Sequence, residues 1–341
     1  MNATMKIGLV LSGGGAIGAY EGGVVKALAE CGVQINMVSG ASIGALNGAI
    51  LASSASLSEA AERLENLWRY LGNNKVLSPD ISTYVSLLIK FASAMKLSPG
   101  VGLAGMLFNM FTAKPPSFYS DEPLMTLIER YLDIDSLAKG LPLYVSLYPT
   151  KGVMQDLFDC ISAELGMGDT QNSIFRHVQS LPREQQKEAL LASAALPLLF
   201  TPREVQGTMY SDGGIGGWKK MQGNTPAMPL IENGCNMLIV THLSDGSLWD
   251  REEFPNATII EIRPRRKLKG DGRGGLLSFT AGDIDSWYQQ GYEDTMLTME
   301  RILKPLVARR NLKTSEIVLQ NSLDVDAYTD AALKNAMMRL K

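Results

Sequence analysis

Histidine and cysteine, the residues that most often hold metals and form disulfides, are scarce in this sequence. Its 341 residues include two histidines, His177 and His242, so a mechanism that needs several imidazoles is excluded. The three cysteines, Cys31, Cys160 and Cys235, are odd in number, lie far apart and form no CxxC pair. Such a set offers neither a disulfide framework nor a thiolate zinc site. The sequence therefore predicts a protein of a reducing compartment that uses no metal and no cofactor.

An excess of charge and long apolar runs are also missing. Lysine and arginine number 32 against 35 aspartates and glutamates, a net charge of −3, so no nucleic-acid partner is predicted. The apolar run at 7–11 is short and lacks a cleavage site, which argues against a signal peptide. The uncharged stretch 97–113 is interrupted by proline and glycines, which argues against a transmembrane helix. We therefore expect a cytoplasmic protein, with peripheral membrane contact as an open alternative.

The order of apolar runs and turns predicts the class of the fold. Runs at 6–12 and 36–39 each precede a glycine turn and a helical pattern, and this alternation is typical of parallel strands covered by helices. Further short apolar runs that fit buried strands lie at 142–148, 209–211, 237–242 and 258–262. The predicted fold is a three-layer α/β/α arrangement, with helices on both faces of a mostly parallel sheet.

Residues 78–119 differ in composition from the rest of the chain, being rich in methionine, leucine and phenylalanine. Because candidate strands lie on both sides of this stretch, we predict a single domain, 1–341, with a helical cap-like insertion. Within it, 97–111 is apolar and uncharged and lies between Lys96 and Lys114. Such a segment suits shallow insertion into a lipid surface, and equally suits packing on the core.

Gly40-Ala-Ser42-Ile-Gly44 fits the pattern GxSxG, with a predicted strand before it and a predicted helix after it. Small residues flank the serine because the turn from strand to helix is tight. The serine hydroxyl then lies at the N-terminus of a helix, where the helix dipole favours negative charge. Ser42 is therefore the candidate nucleophile, and Gly40 and Gly44 support its turn.

Three consecutive glycines, Gly13, Gly14 and Gly15, follow the first predicted strand. Glycines allow backbone N–H groups to point into a pocket with no side chain in the way, as an oxyanion or a phosphate requires. Together with Gly18 they also fit the dinucleotide pattern GxGxxG. That pattern expects an acidic residue about 20 positions further on, and the chain has none between Glu30 and Glu59. The oxyanion hypothesis is therefore favoured over a nucleotide cofactor.

Asp212-Gly213-Gly214 follows a short apolar run and is the third candidate element. An acid at a strand end, with glycines after it, can reach the end of a neighbouring strand without steric obstruction. We therefore expect a serine, a glycine-lined anion hole and a carboxylate to converge at the carboxyl edge of the sheet.

Together these three elements resemble those of the patatin-like phospholipases, over about residues 6–240. The run Ala-Ser-Ala-Ala-Leu-Pro at 192–197 and Asn-Thr-Pro at 224–226 are similar to the family as well. The resemblance implies a metal-free serine acyl hydrolase that cleaves phospholipid or related lipid esters. It implies Ser42 as nucleophile, Asp212 as base, and the backbone of Gly13, Gly14 and Gly15 as oxyanion donors. Two positions depart from the pattern: Ile17 stands where a basic residue is usual, and Ser12 where glycine or aspartate is common.

Other interpretations remain open at this point. Ser42, Asp212 and His242 occur in the order of an α/β-hydrolase triad. Two further alternatives are a nucleotide-binding enzyme and a catalytically idle membrane-binding module. His177 lies in a polar stretch and is expected at the surface. Six basic residues from Arg263 to Arg273 form either a solvated loop or a site for an anionic headgroup or ligand. The sequence predicts no oligomeric state.

Overall fold

A computed structural model describes residues 5–74, 128–164, 166–196, 200–244, 246, 248–268 and 279–339. The chain forms two compact units, Met1–Thr295 and Met296–Lys341. Within the described residues the second unit is helical throughout. The predicted insertion at 78–119 lies outside the described residues, and the single domain 1–341 stays a prediction. No helix in the described part of the chain is both long enough and apolar enough to span a membrane.

The first unit is built on one sheet with helices before and after its strands. The strands are β1 (Ile7–Leu11), β2 (Met37–Gly40), β3 (Leu143–Pro149), β4 (Ile174–His177), β5 (Arg203–Val205), β6 (Thr208–Asp212), β7 (Met237–Thr241) and β8 (Thr258–Ile262). The helices are α1 (Ala19–Glu30), α2 (Ile43–Ala52), α3 (Leu57–Asn73), α4 (Ile134–Leu137), α5 (Val153–Glu164), α6 (Arg183–Ser193), α7 (Met228–Glu232) and α8 (Ala281–Arg339), the last of which continues into the second unit.

The sheet has parallel strands on one side and antiparallel strands on the other. Its order is β5-β6-β3-β2-β1-β7-β8, and β4 also pairs with β3. The strands from β3 through β2, β1 and β7 to β8 are parallel, whereas β4 and β6 run antiparallel to β3. The predicted α/β fold with a mostly parallel sheet flanked by helices is confirmed. The sequence missed β4 and β5, which pair antiparallel to neighbours distant in sequence or across a short turn.

The centre of the sheet explains why its strands are apolar runs and not alternating patterns. Every residue of β1 is buried, because the strand has neighbours on both edges and is covered on both faces. On one face, α7 contributes Leu230 to a cluster with Val10, Leu238 and Val240. A buried leucine of this kind contributes about 2 kcal/mol to stability.

His177 corrects one expectation from the sequence. It lies at the end of β4, and its ring stacks on Tyr144 with ring centroids 4.9 Å apart. The imidazole is partly buried, and burial lowers its pKa. The expected surface position was wrong because β4 pairs with β3 and brings this polar stretch onto the sheet.

Candidate active site

The turn between β2 and α2 holds Ser42 in a strained backbone conformation. Ser42 has φ 52° and ψ −124°, in the region that side-chain-bearing residues rarely adopt. Such a conformation costs on the order of 1–3 kcal/mol and persists where the surroundings impose it. The N-terminus of α2 follows at once, so the serine lies at the positive end of the helix dipole.

The glycines of the GxSxG pattern are required by close contacts of the backbone. A Cβ atom on Gly40 would lie 2.3 Å from the carbonyl oxygen of Gly44. A Cβ atom on Gly44 would lie 2.4 Å from the carbonyl oxygen of Leu11, the last residue of β1. Both distances are shorter than any tolerated contact, so the tight turn that presents Ser42 depends on both glycines.

Asp212 ends β6 and is buried, with 2% of its surface exposed. Its Oδ1 accepts the N–H of Gly214 at 2.8 Å. Burial raises the pKa of the carboxyl to about 6, while interaction with the Ser42 hydroxyl and the Gly214 N–H opposes that rise. Oδ2 is buried and accepts no hydrogen bond of standard geometry from the described residues. The carboxyl therefore faces the Ser42 hydroxyl with one oxygen still able to accept a proton.

The register of the sheet explains this proximity. Gly40 of β2 pairs with Val145 of β3, and Asp212 pairs with Leu147 on the other side of the same strand. Ser42, two residues beyond Gly40, is thus at the level of Asp212 across β3. The predicted convergence of the serine and the carboxylate is what this register produces.

Glycines after Asp212 also stand where side chains would not fit. A Cβ atom on Gly213 would lie 1.9 Å from the carbonyl oxygen of Ser146, and one on Gly214 would lie 2.7 Å from Oδ1 of Asn224. The Asp-Gly-Gly turn therefore packs directly against β3 and against Asn224.

Gly13, Gly14 and Gly15 form a loop that lies against both Ser42 and Asn224. The Gly13 N–H donates to the Asn224 carbonyl at 3.2 Å, and the Asn224 side-chain amide donates to the Gly13 carbonyl at 3.3 Å. A Cβ atom on Gly13 would lie 3.1 Å from the Cβ of Ser42. Gly15, with φ 60°, begins the helical turn that leads into α1. The first N–H groups of that turn lack helical partners, so the loop offers donors beside the serine.

His242 is brought to the same edge of the sheet but has other partners. It follows the last residue of β7, and its Nε2 lies 3.0 Å from Oε2 of Glu261 on β8. Its ring is tilted against Trp249, with the ring centroids 5.5 Å apart. The hydrogen bond to His242 is the main cause that lowers the pKa of Glu261 to about 2. The contacts of this imidazole are thus with Glu261 and Trp249, and those of Asp212 are with Ser42 and Gly214.

A buried polar cluster below the glycine loop was missed by the sequence reasoning. Glu21 of α1 is fully buried; its carboxyl accepts from the Asn47 side-chain amide at 2.9 Å and lies 3.1 Å from the Thr241 hydroxyl. The Ser12 N–H also contacts this carboxyl, and burial raises the pKa of Glu21 to about 8. An acid within the apolar stretch of α1 was the signal that could have revealed the cluster, which ties the start of the glycine loop to α1 and α2.

The basic run from Arg263 to Arg273 can be placed in part. Within the basic run, Arg263 pairs with Glu261 and Arg265 pairs with Asp294, while 269–273 lie outside the described residues. Arg263 and Arg265, two of the three arginines of the run that can be placed, are therefore engaged within the protein, and an anionic ligand at this run stays a prediction. In the described ranges, no group of three or more histidine, cysteine, aspartate or glutamate side chains is arranged to hold a metal ion.

Comparison with known proteins shows which protein family the chain matches. The family model described as "Patatin-like phospholipase" matches residues 9–231. The lysophospholipase nte1 of Aspergillus terreus is 44% identical over 71 residues, which are 19% of this chain and 5% of that protein. Patatin-like phospholipase domain-containing protein 7 of Rattus norvegicus is 49% identical over 106 residues, 31% of this chain and 7% of that protein. The chain thus matches less than a tenth of the length of these curated relatives.

The solved structures that the comparison matches are more distant in sequence. VipD of Legionella pneumophila is 16% identical, with a TM-score of 0.43, over 87% of this chain and 67% of that chain. ExoU in complex with SpcU from Pseudomonas aeruginosa is 15% identical, with a TM-score of 0.37, over 88% of this chain and 52% of that chain.

Proposed function

The chain belongs to the patatin-like phospholipase family, and from that premise we propose that it is a serine acyl hydrolase of phospholipids or related lipid esters. One observation carries the proposal: a strained serine at a helix N-terminus faces a buried carboxyl whose pKa is raised to about 6. An aspartate with its ordinary pKa near 4 is a weak base for a hydroxyl. Burial brings the pKa of Asp212 closer to neutral pH and so favours proton transfer.

In the proposed reaction, the Ser42 hydroxyl attacks the ester carbonyl while Asp212 takes its proton. A bond forms between Oγ and the carbonyl carbon, and the carbonyl oxygen becomes an oxyanion. When the bond to the leaving alcohol breaks, Asp212 returns the proton to the alcohol oxygen. Water then attacks the acyl-serine by the same route, Asp212 again taking and returning a proton, and releases the fatty acid.

We assign the stabilisation of the oxyanion to the glycine loop. The N–H of Gly13 is used by the Asn224 carbonyl, so the N–H groups of Gly14 and Gly15 are the best-placed donors of the predicted set. Their position at the start of a helical segment adds the positive end of a helix dipole. Loss of a single oxyanion donor typically costs about 10²–10³ in kcat, so this loop should supply much of the rate acceleration.

The test is active-site labelling combined with analysis of lipid products. A fluorophosphonate probe should label the wild-type protein at Ser42 and leave Ser42→Ala unlabelled. Incubation with mixed lipids, followed by mass spectrometry, should identify released fatty acids for the wild type alone. Because the nucleophile acts as part of one unit with its base, the loss in Ser42→Ala should be several orders of magnitude.

Ser54→Ala is a matched control for that test. Ser54 follows α2, the helix that Ser42 precedes, and its hydroxyl donates to the Ile50 carbonyl at 2.7 Å. This variant should keep labelling and activity. Labelling at a serine other than Ser42, or full hydrolysis by Ser42→Ala, would refute the assignment.

A triad with His242 is less well supported than the dyad. The imidazole is hydrogen-bonded to Glu261 and packed on Trp249, and Asp212 lies against Ser42 without an imidazole between them. A nucleotide cofactor would need an acidic residue about 20 positions after the glycine motif to hold its ribose, and the sequence has no acidic residue there. The triad and the nucleotide cofactor are therefore both less well supported than the Ser42–Asp212 dyad.

We also propose that hydrolysis needs no metal ion and that contact with the membrane surface is peripheral. Excess EDTA should leave the initial rate on a soluble ester unchanged, and a loss restored by calcium would contradict the mechanism. The apolar residues at 97–111 supply the candidate contact surface from the sequence alone. Leu107→Ser combined with Phe108→Ser should weaken binding to liposomes while sparing hydrolysis of a short-chain soluble ester.

A further inference from the structure

A three-residue segment at the end of α6 binds the backbone of both proposed catalytic residues. The N–H of Ser42 donates to Oγ of Ser193 at 3.1 Å. The N–H of Asp212 donates to the carbonyl oxygen of Ala195 at 2.9 Å. Residues 193–195 therefore contact the turn after β2 and the end of β6 at the same time, and hold the two side chains opposite each other.

The direction of each hydrogen bond around Ser193 is set by chemistry. The Ser193 hydroxyl lies 2.8 Å from the carbonyl oxygen of Ser146 in β3, and a carbonyl can only accept. The hydroxyl proton of Ser193 is therefore used toward Ser146, and its oxygen lone pair accepts the N–H of Ser42. Ser193 is fully buried, so no water competes for either bond.

The same network continues to the turn that follows Asp212. The hydroxyl of Ser146 donates to the carbonyl oxygen of Gly213 at 3.0 Å, and the hydroxyl of Ser173 donates to the same carbonyl at 2.7 Å. Both serines are buried. A continuous set of buried hydrogen bonds thus runs from the N–H of Ser42, through Ser193 and Ser146, to the residue after Asp212.

We propose that Ser193 is a positioning residue, which holds the strained backbone of Ser42 and thereby sets the distance from its hydroxyl to Asp212. This inference rests on the function proposed above. Ser193 binds the backbone N–H of Ser42, so it acts through the nucleophile and takes no part in proton transfer. Its place between two catalytic turns gives a role to the Ala-Ser-Ala-Ala-Leu-Pro run at 192–197.

Removal of the Ser193 hydroxyl would leave the buried N–H of Ser42 without an acceptor. An unsatisfied buried donor is unfavourable, and the positive φ of Ser42 would lose one of the contacts that impose it. The turn would then shift toward a relaxed conformation and move Oγ away from the carboxyl. A displacement of about 1 Å can reduce the rate roughly 10²-fold without any change in substrate contacts.

The experiment compares Ser193→Ala with Ser53→Ala, using a short-chain soluble ester. Ser53 is a matched control, because it is also buried at the end of a helix and donates to a carbonyl of its own helix, that of Ile50, at 3.1 Å. Ser193→Ala should lower kcat by about 10- to 100-fold with KM changed by less than about twofold. Ser53→Ala should keep both constants close to those of the wild type.

Two further variants separate the hydrogen bond from packing. Ser193→Cys keeps nearly the same shape but provides a weak acceptor, and should lose kcat as Ser193→Ala does. Ser193→Thr keeps the hydroxyl and should recover most of the activity. The pH at which kcat/KM falls to half should rise in Ser193→Ala and Ser193→Cys, because the Ser42 hydroxyl that lowers the pKa of Asp212 moves away from the carboxyl, and it should stay the same in Ser193→Thr.

The outcomes distinguish this inference from the proposed function. Equal kcat values for Ser193→Ala, Ser193→Cys and Ser53→Ala, with Ser42→Ala inactive, would overturn the role of Ser193 and leave the hydrolase assignment in place. An active Ser42→Ala would overturn the assignment itself. Unfolding of both Ser193→Ala and Ser193→Cys, seen as loss of the thermal transition, would assign Ser193 to stability alone and also contradict the inference.

Discussion

Two pairs of polar side chains lie at the same edge of the sheet, on either side of β1. They differ in whether a carboxyl oxygen of the pair can still accept a hydrogen bond. In the pair of His242 and Glu261, the imidazole Nε2–H donates to the carboxylate, and Arg263 binds the same carboxylate. In the pair of Ser42 and Asp212, one carboxyl oxygen has no hydrogen bond of standard geometry from the described residues. The Glu261 carboxyl is thus bound by two side chains, whereas among the described residues the Asp212 carboxyl keeps one oxygen that can still accept.

The difference appears in the direction of the two pKa shifts. Partners lower the pKa of Glu261 to about 2, so that its charged form is strongly favoured and its basicity is low. Burial raises the pKa of Asp212 to about 6, so that its charged form is less stable and it is a better base. We therefore attribute the proposed reactivity of the Ser42–Asp212 pair to the incomplete hydrogen bonding of its carboxyl, and a stabilising role to the more completely bonded His242–Glu261 pair.

The largest effect that would test this comparison is expected for Asp212→Asn. The amide keeps the shape of the carboxyl and can still accept the Gly214 N–H, but it cannot take a proton. Activity should fall by about 10²–10⁴-fold, the usual contribution of a general base. Hydrolysis assays on a soluble ester would measure the loss, and a variant with more than a tenth of wild-type activity would show that Asp212 is not the base.

The same variant should be more stable than the wild type at pH 8. The pKa of Asp212 is higher in the folded protein than the ordinary aspartate value, so ionisation of this group disfavours folding as pH rises from about 4 through about 6. Asparagine has no such penalty. Thermal unfolding should therefore show a higher midpoint for Asp212→Asn at pH 8, and the difference from the wild type should shrink toward pH 4.

The next largest effect is expected for the pH dependence of the rate. If the ionised Asp212 is the base, kcat/KM should fall with decreasing pH about tenfold per unit below pH 6 and level off above it. A stopped-flow or fixed-time assay with a soluble ester whose own charge is constant would measure the profile. An inflection near pH 4 would mean that the carboxyl is solvated during the reaction and would remove the physical basis of the comparison.

His242→Gln should have the smallest effect on catalysis. Glutamine can still hydrogen-bond to Glu261, and the Ser42 turn does not depend on the imidazole. Hydrolysis should stay within about tenfold of the wild type, well short of the loss expected for a general base. A loss like that of Asp212→Asn, with the thermal transition unchanged, would favour the triad over the dyad.

The local parts of the site could be predicted from the sequence because their causes are local. Apolar runs predicted β1, β2, β3, β6, β7 and β8. Of these, β1 and β2 are buried throughout, and a strand buried on both faces needs apolar side chains along its whole length. The small residues around Ser42 indicated a tight turn, and the contacts of Gly40 and Gly44 give the physical reason. β4 and β5 were not predicted, because their formation depends on pairing with an antiparallel strand and not on a local apolar run.

The amino-acid sequence by itself determined which elements carry the serine, the glycines and the aspartate, because strand–turn–helix patterns are set by neighbouring residues. Only the tertiary structure decided which groups meet. Register across β3 put Asp212 level with Ser42, and burial, a property of the whole fold, raised the pKa of its carboxyl. The contact of Ser193 with the backbone of Ser42 joins residues 151 positions apart, a distance that no local pattern encodes.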